Sequence, residues 1–251
     1  MQDKINIRSS KAFIVNKEEK NKNIMDHNKK EEENTVRIKI LCLGPSKSGK
    51  STISNYLAES IELRSLEYHP TQGTRIVEFE SSNLKLNGQL IEAEVELWDC
   101  SGDPKFRRCW PVIKKGAHGI MFVCNPEYNK GSDLVDWYND FVKPLGMNLN
   151  SIIVFLHHTS DNTNDSAVAS FQLPQQLSGV TVMATNIDNE GENLRLAFNN
   201  FLCKVVKSIK DHPATIVEDD DLEYNDDLSI DENESEKYNE SMPDIEDNKN
   251  Y

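Results

Sequence analysis

The run Gly44-Pro45-Ser46-Lys47-Ser48-Gly49-Lys50-Ser51 constrains the fold most, because it satisfies G-x-x-x-x-G-K-[ST] at every fixed position. The glycines let the backbone wrap so that its N–H groups converge on phosphate oxygens, Lys50 supplies a mobile positive charge, and Ser51 offers a hydroxyl to Mg²⁺. Before the loop, Val36 to Leu43 carries Ile38, Ile40, Leu41 and Leu43 and reads as a central strand covered on both faces. After it, Ile53, Tyr56 and Leu57 share one face of a predicted helix. Strand, glycine loop and helix in that order predict an α/β domain.

The rest of residues 35–210 supports a mostly parallel six-stranded sheet with helices on both faces. Further strands are predicted at Thr74 to Glu80, Ala93 to Asp99, Gly119 to Cys124, Ser151 to Leu156 and Thr181 to Ala184. Asn87-Gly88, between Leu84 and Leu90, favours a tight antiparallel turn. Helical segments are expected near Leu134 to Val142 and over Leu194, Phe198, Phe201, Leu202, Val205 and Ile209, with an irregular stretch from Ser160 to Leu173.

Charge separates the C-terminal end from the rest. The chain has 251 residues and a net charge of −14. Residues 211–251 alone hold sixteen Asp or Glu against Lys237 and Lys249, the same −14, so residues 1–210 balance. A disordered acidic tail is the expectation for 211–251, and a flexible extension for the Lys-, Glu- and Asn-rich residues 1–34 with their short apolar patch Ala12 to Val15. A nucleic-acid partner is disfavoured. An apolar signal core, a membrane span and acceptors for prenyl or myristoyl groups are not visible, so a cytoplasmic protein without a lipid anchor is expected. The five cysteines read as reduced thiols.

Two further motifs carry chemistry. Trp98-Asp99-Cys100-Ser101-Gly102 ends a predicted strand, where Asp99 can hold Mg²⁺ through water and the Gly102 N–H can reach a terminal phosphate. Pro70-Thr71-Gln72-Gly73 supplies Thr71, whose hydroxyl can complete the metal shell. The plainer alternatives are that Asp99 caps the next helix and Thr71 is a turn residue. His157-His158 invites a metal reading, rejected because adjacent strand residues point to opposite faces and no third ligand lies nearby. Arg107, Arg108 and Trp110 read either as a contact surface or as a solvated helix face.

With these residues and Lys105-Phe106, Cys109-Trp110-Pro111 and Ala117-His118-Gly119, the chain resembles Ras-like small GTPases, and among them the Rab-like 5 branch, small GTPase-like subunits of intraflagellar transport complex B. The resemblance implies a Ras-like P-loop G domain over 35–210 that binds GTP, GDP and Mg²⁺. It implies nucleotide contacts from Gly44, Ser46, Lys47, Ser48, Gly49, Lys50, Ser51, Thr52, Thr71 and Gly102, and a metal shell of Ser51, Thr71 and Asp99. It further implies coiled-coil partners within that complex and a place at the cilium or flagellum and its base.

Two departures qualify the implied activity. Asp103 stands where the water-positioning Gln is expected; it is a methylene shorter, lacks the amide donor and adds negative charge, so intrinsic hydrolysis should be slow and no catalytic residue is assigned. The guanine-reading Asn-Lys-x-Asp is replaced by His158-Thr159-Ser160-Asp161, which leaves Asp161 as base reader or ordinary loop acid, with Thr185 and Asn186 in the last base-contacting loop. The rival readings are an active GTPase switch stimulated by a partner, and a P-loop ATPase or kinase.

Overall fold

The computed structural model describes residues 35–59, 69–158 and 165–211, all within one compact unit. The expected N-terminal extension, the acidic tail beyond Asp211 and Asp161 lie outside the described residues.

Six strands form one sheet: β1 (Thr35–Leu43), β2 (Thr74–Leu86), β3 (Gln89–Cys100), β4 (Gly119–Cys124), β5 (Ile152–His157) and β6 (Thr181–Thr185), in the order β2-β3-β1-β4-β5-β6. β2 and β3 pair antiparallel and every other pair is parallel, as expected for right-handed strand–helix–strand units. β4 and β5 are buried along their whole length, which is why their sequences run apolar without alternation.

The expected strands Thr74 to Glu80 and Ala93 to Asp99 and the separate Asn-Gly turn are parts of one long hairpin. Asn87 and Gly88 both take positive φ (52° and 83°), the two-residue turn that matches strand twist. Between Ser81 and Leu84 a bulge shifts the pairing by one residue, so that Arg75 stands opposite Asp99.

Helices cover both faces. On one, α1 (Lys50–Leu57) and the long last helix α5 (Ile187–Asp211) bury Ile53, Leu57, Leu194, Phe198, Phe201, Leu202 and Val205 against Ile38, Ile40, Val95 and Leu97. The periodicity of the last helix is therefore realised, except that Glu190 departs from helical φ/ψ, next to Gly191, where any Cβ would strike the Tyr56 hydroxyl of α1. Arg195 fastens the two helices by donating to the Leu57 and Tyr56 carbonyls at 3.1 and 3.0 Å, the groups a helix end leaves unpaired.

On the other face sit α2 (Trp110–Lys114), α3 (Val135–Trp137) and α4 (Asp165–Ser170). The helix expected over Leu134 to Val142 is a 3₁₀ turn, the short α3 and a π turn at Tyr138–Val142, and α4 falls within the stretch expected to be irregular. Trp110 is 6% exposed, packed on Trp137 and Phe141 with ring centroids 4.9 and 5.0 Å away, so it is core and no part of a contact surface. Arg107 and Arg108 remain exposed, with Arg107 paired to Asp136.

Candidate nucleotide-binding site

The loop at the end of β1 is shaped by contacts that only glycine permits. Gly44 (φ 138°) has the Val123 carbonyl where a Cβ would lie, and Gly49 (φ 93°) has the His157 ring there. Gly102 is crowded in the same way by the Ser46 nitrogen and the Gly44 carbonyl, so the segment after β3 is pressed onto the loop backbone. Ser48 is buried and its Oγ has no hydrogen-bond partner among the described residues, while Ser46 and the αL residue Lys47 lie exposed on the crest. Gly49 caps α1 without a side chain, leaving the first-turn N–H groups directed into the loop.

Lys50 bridges the loop from inside. Its Nζ donates to the carbonyls of Gly44 at 3.0 Å and Pro45 at 2.6 Å, and burial lowers its pKa. On the next turn position Ser51 Oγ lies 3.0 Å from Thr71 Oγ1, which joins α1 to the Pro70–Gly73 loop. Thr52 is exposed on α1. Ser101 N donates to the Gly73 carbonyl at 2.7 Å, drawing the third segment in.

Asp99 completes this cluster. It is fully buried, and burial raises its pKa; the Ser51 hydroxyl opposes the shift without forming a hydrogen bond of ordinary geometry, and Arg75 opposes it by donating to Oδ2 at 3.3 Å. The other oxygen, Oδ1, has no hydrogen-bond partner among the described residues. A buried acid with one oxygen unpaired, beside two converging hydroxyls, suits a hard divalent cation that takes oxygen ligands. Among the described residues Asp99 caps no helix, and Thr71 reaches across to Ser51.

Asp103 is the residue that caps. Its carboxylate accepts from Lys105 N at 3.0 Å at the start of the 3₁₀ turn Pro104–Cys109 and pairs with Lys105 Nζ at 3.0 Å. Those bonds, the backbone one first, lower its pKa.

The opposite end of the site is built by β5 and β6. His157 lays its ring against Gly49 and its Nδ1 is 3.3 Å from the Thr185 carbonyl, to which His158 N also donates at 3.2 Å. Thr185 and Asn186 are both buried; Asn186 Oδ1 accepts from Asp188 N at 3.0 Å, starting α5. Thr185 Oγ1, Asn186 Nδ2 and His158 Nδ1 are buried with no hydrogen-bond partner among the described residues. Unpaired buried polar atoms are costly, and here they gather where the resemblance implies a base.

Three contributors escaped sequence reasoning. His157, rejected there as a metal ligand and given no part in the phosphate site, packs the phosphate loop, and Arg75 with Asn55 (2.6 Å from it) braces Asp99. The position of His157 at the end of a buried strand was the available signal. For Arg75 there was none, since counting back from the Asn-Gly turn without the bulge pairs it with Cys100.

Phosphate loop, buried acid and threonine loop on a 2-3-1-4-5-6 sheet define a Ras-like P-loop G domain. Residues 39–161 match the Roc family, described as the Ras of Complex, Roc, domain of DAPkinase. The chain is 35% identical over 176 residues to the intraflagellar transport protein 22 homolog of Danio rerio and 34% identical over 179 residues to that of Homo sapiens, covering 70% of this chain and 93% and 94% of those proteins. Among solved structures, the GTP-bound T. brucei IFT22/74/81 crystal structure matches with a TM-score of 0.56 at 32% identity, covering 70% of this chain and 98% of that one. The GDP-bound T. brucei IFT22 crystal structure matches at 0.50 and 32%, covering 68% and 97%. The chain belongs to the intraflagellar transport protein 22 family.

Proposed function

We propose that this protein is a guanine-nucleotide-binding regulatory subunit of intraflagellar transport complex B with slow intrinsic hydrolysis. The observation that carries the reading is the meeting of Ser51, Thr71 and Asp99 at a formed phosphate loop, in a family whose T. brucei relative is recorded with GTP and with IFT74 and IFT81.

In this reading the loop N–H groups from Gly44 to Ser51 cradle phosphate oxygens and Lys50 exchanges its carbonyl contacts for the outer phosphates. Gly102 presents its N–H beside the terminal phosphate. Ser51, Thr71 and Asp99 would hold Mg²⁺, which would supply positive charge against the phosphates. Thr185, Asn186 and Asp161 read the base, Asp161 by accepting two N–H bonds that guanine offers and adenine does not.

Hydrolysis is slow because Asp103 is committed to Lys105 and has no amide to orient water. A single-turnover assay should return a rate at or below ~10⁻⁴ s⁻¹ for the protein alone; a rate near ~1 s⁻¹ would show that another group positions the water. The G domain docks on coiled-coil subunits of the complex and so reaches the cilium or flagellum and its base. A chain truncated after Lys210 should therefore still co-purify with the transport complex. Loss of that association, with nucleotide binding intact, would move docking to the tail.

A further inference from the structure

The β2–β3 hairpin presents a face to solvent that the nucleotide site does not use. Side chains alternate across a sheet, so Phe79 turns toward Phe198 of α5 while Ile76, Glu78 and Glu80 turn to the opposite face. In register Ile76 stands beside Trp98, Glu78 beside Glu96 and Glu80 beside Glu94. β1 continues the same rows with Leu41, Lys39 and Arg37. One row is thus apolar and the other two read glutamate, glutamate, cation.

Like charges directly opposite one another on neighbouring strands destabilise a sheet, and here the cations are already engaged. Arg37 pairs with Glu94 at 2.7 Å. Lys39 donates to the Lys115 carbonyl at 2.7 Å and lies 3.5 Å over the Trp98 ring. Glu78 and Glu80, exposed on the sheet's edge strand, have no ion pair among the described residues, and Ile76 beside them is 48% exposed. The face therefore suits a basic segment that also carries apolar side chains.

We propose that residues Lys4 to Lys17 of this same chain dock there, with their cations against Glu78 and Glu80 and the apolar run Ala12 to Val15 against Ile76 and Trp98. That segment holds Lys4, Arg8, Lys11 and Lys17 and no acidic residue. The other terminal segment, 211–251, carries −14 and is repelled by a face of its own sign. Residues 18–34 join the segment to β1, and that length of chain reaches up to ~60 Å when extended. The distance from β1 to the edge strand is only ~10 Å, two strand spacings. Such a tether holds the segment at millimolar effective concentration, so weak, salt-screened ion pairs suffice to seat it on the sheet.

Zero-length carbodiimide cross-linking of the full-length protein, read by mass spectrometry on a mixture of ¹⁵N-labelled and unlabelled copies, tests this. Links from Lys4, Lys11 or Lys17 to Glu78 or Glu80 should form within one copy at low salt and fall at least about fivefold at about 0.5 M salt, where charges are screened over ~4 Å. Arg8→Ala, which removes a cation of the segment but no group that carbodiimide couples, should lower these links at least about twofold without lowering the thermal midpoint, and links unchanged by it would count against the ion pairing. Links from these lysines only to the acidic tail, links only between labelled and unlabelled copies, or links unchanged by salt would each overturn the proposal.

Discussion

On the proposed reading, the two ends of the nucleotide site recognise by different means. At the phosphate end the ligands are backbone N–H groups, and their placement depends on glycines at fixed spacing, so Gly44, Gly49, Lys50 and Ser51 announce it in one unbroken run. At the end proposed for the base the polar atoms are side chains at the ends of β5 and β6 and just past them, brought together by parallel pairing of residues 28 apart, His157 beside Thr185. Local motifs are legible where the backbone is the ligand; side-chain sites assembled by the sheet are legible only once the sheet is known.

The largest effect that separates the two ends is expected from Lys50→Ala. It removes a buried cation from the phosphate end and should weaken GTP and GDP alike by about 100-fold, the loss of charge-assisted hydrogen bonds worth ~3 kcal/mol, leaving the preference between guanine and adenine unchanged. A change in that preference, measured by competition, would mean that the ends are not separable.

Gly49→Ala probes the seam between them. The new Cβ must displace the His157 ring at a positive φ, so the protein should lose ~2 kcal/mol of stability, read by denaturant unfolding. Shortening the ring with His157→Ala in the same chain should recover part of the loss; no recovery would show that backbone strain alone sets it.

Asp99→Asn should show function opposing stability. The folded pKa of Asp99 is raised by burial, so its favourable contribution is complete below the unfolded value near 3.8 and is lost as pH rises through the folded value. At neutral pH the buried carboxylate is therefore a burden, and the nucleotide-free Asn variant should melt about 2–4 °C higher while its GTP affinity loses its Mg²⁺ dependence. A lower midpoint would mean that the Arg75 contact outweighs burial.

The smallest effect, of opposite sign, belongs to Asp103 four residues on. Its folded pKa is lowered, so the contribution of its cap is present above about 3.8 and is lost as pH falls through the folded value. Asp103→Ala should lower the midpoint slightly at neutral pH and not at all once the wild-type carboxyl is protonated. Equal losses at both pH values would place the effect outside the carboxylate.

These contrasts explain what could be read in advance. Six strands, their mixed pairing and the α5 core followed from apolar runs, the Asn87-Gly88 turn and helical spacing through Leu194, Phe198 and Phe201. The broken helix around Tyr138 did not, because one apolar pattern fits α, 3₁₀ and π turns until Trp137 and Phe141 are seated against Trp110. Ser51, Thr71 and Asp99 were placed together by motif, whereas the brace from Arg75 depends on a bulge that no local pattern marks. Asp103 was noticed for the amide it lacks, and the structure adds what the carboxylate does: it starts the following turn.

Titration calorimetry of the intact protein with GTP, GDP and ATP, with and without Mg²⁺, is the most direct test of a phosphate end and a base end acting on one ligand. The account predicts binding of GTP and GDP that is strengthened by Mg²⁺ and at least about tenfold tighter than ATP, as expected when paired hydrogen bonds to the base are lost. Equal affinity for GTP and ATP, or affinity indifferent to Mg²⁺, would contradict it.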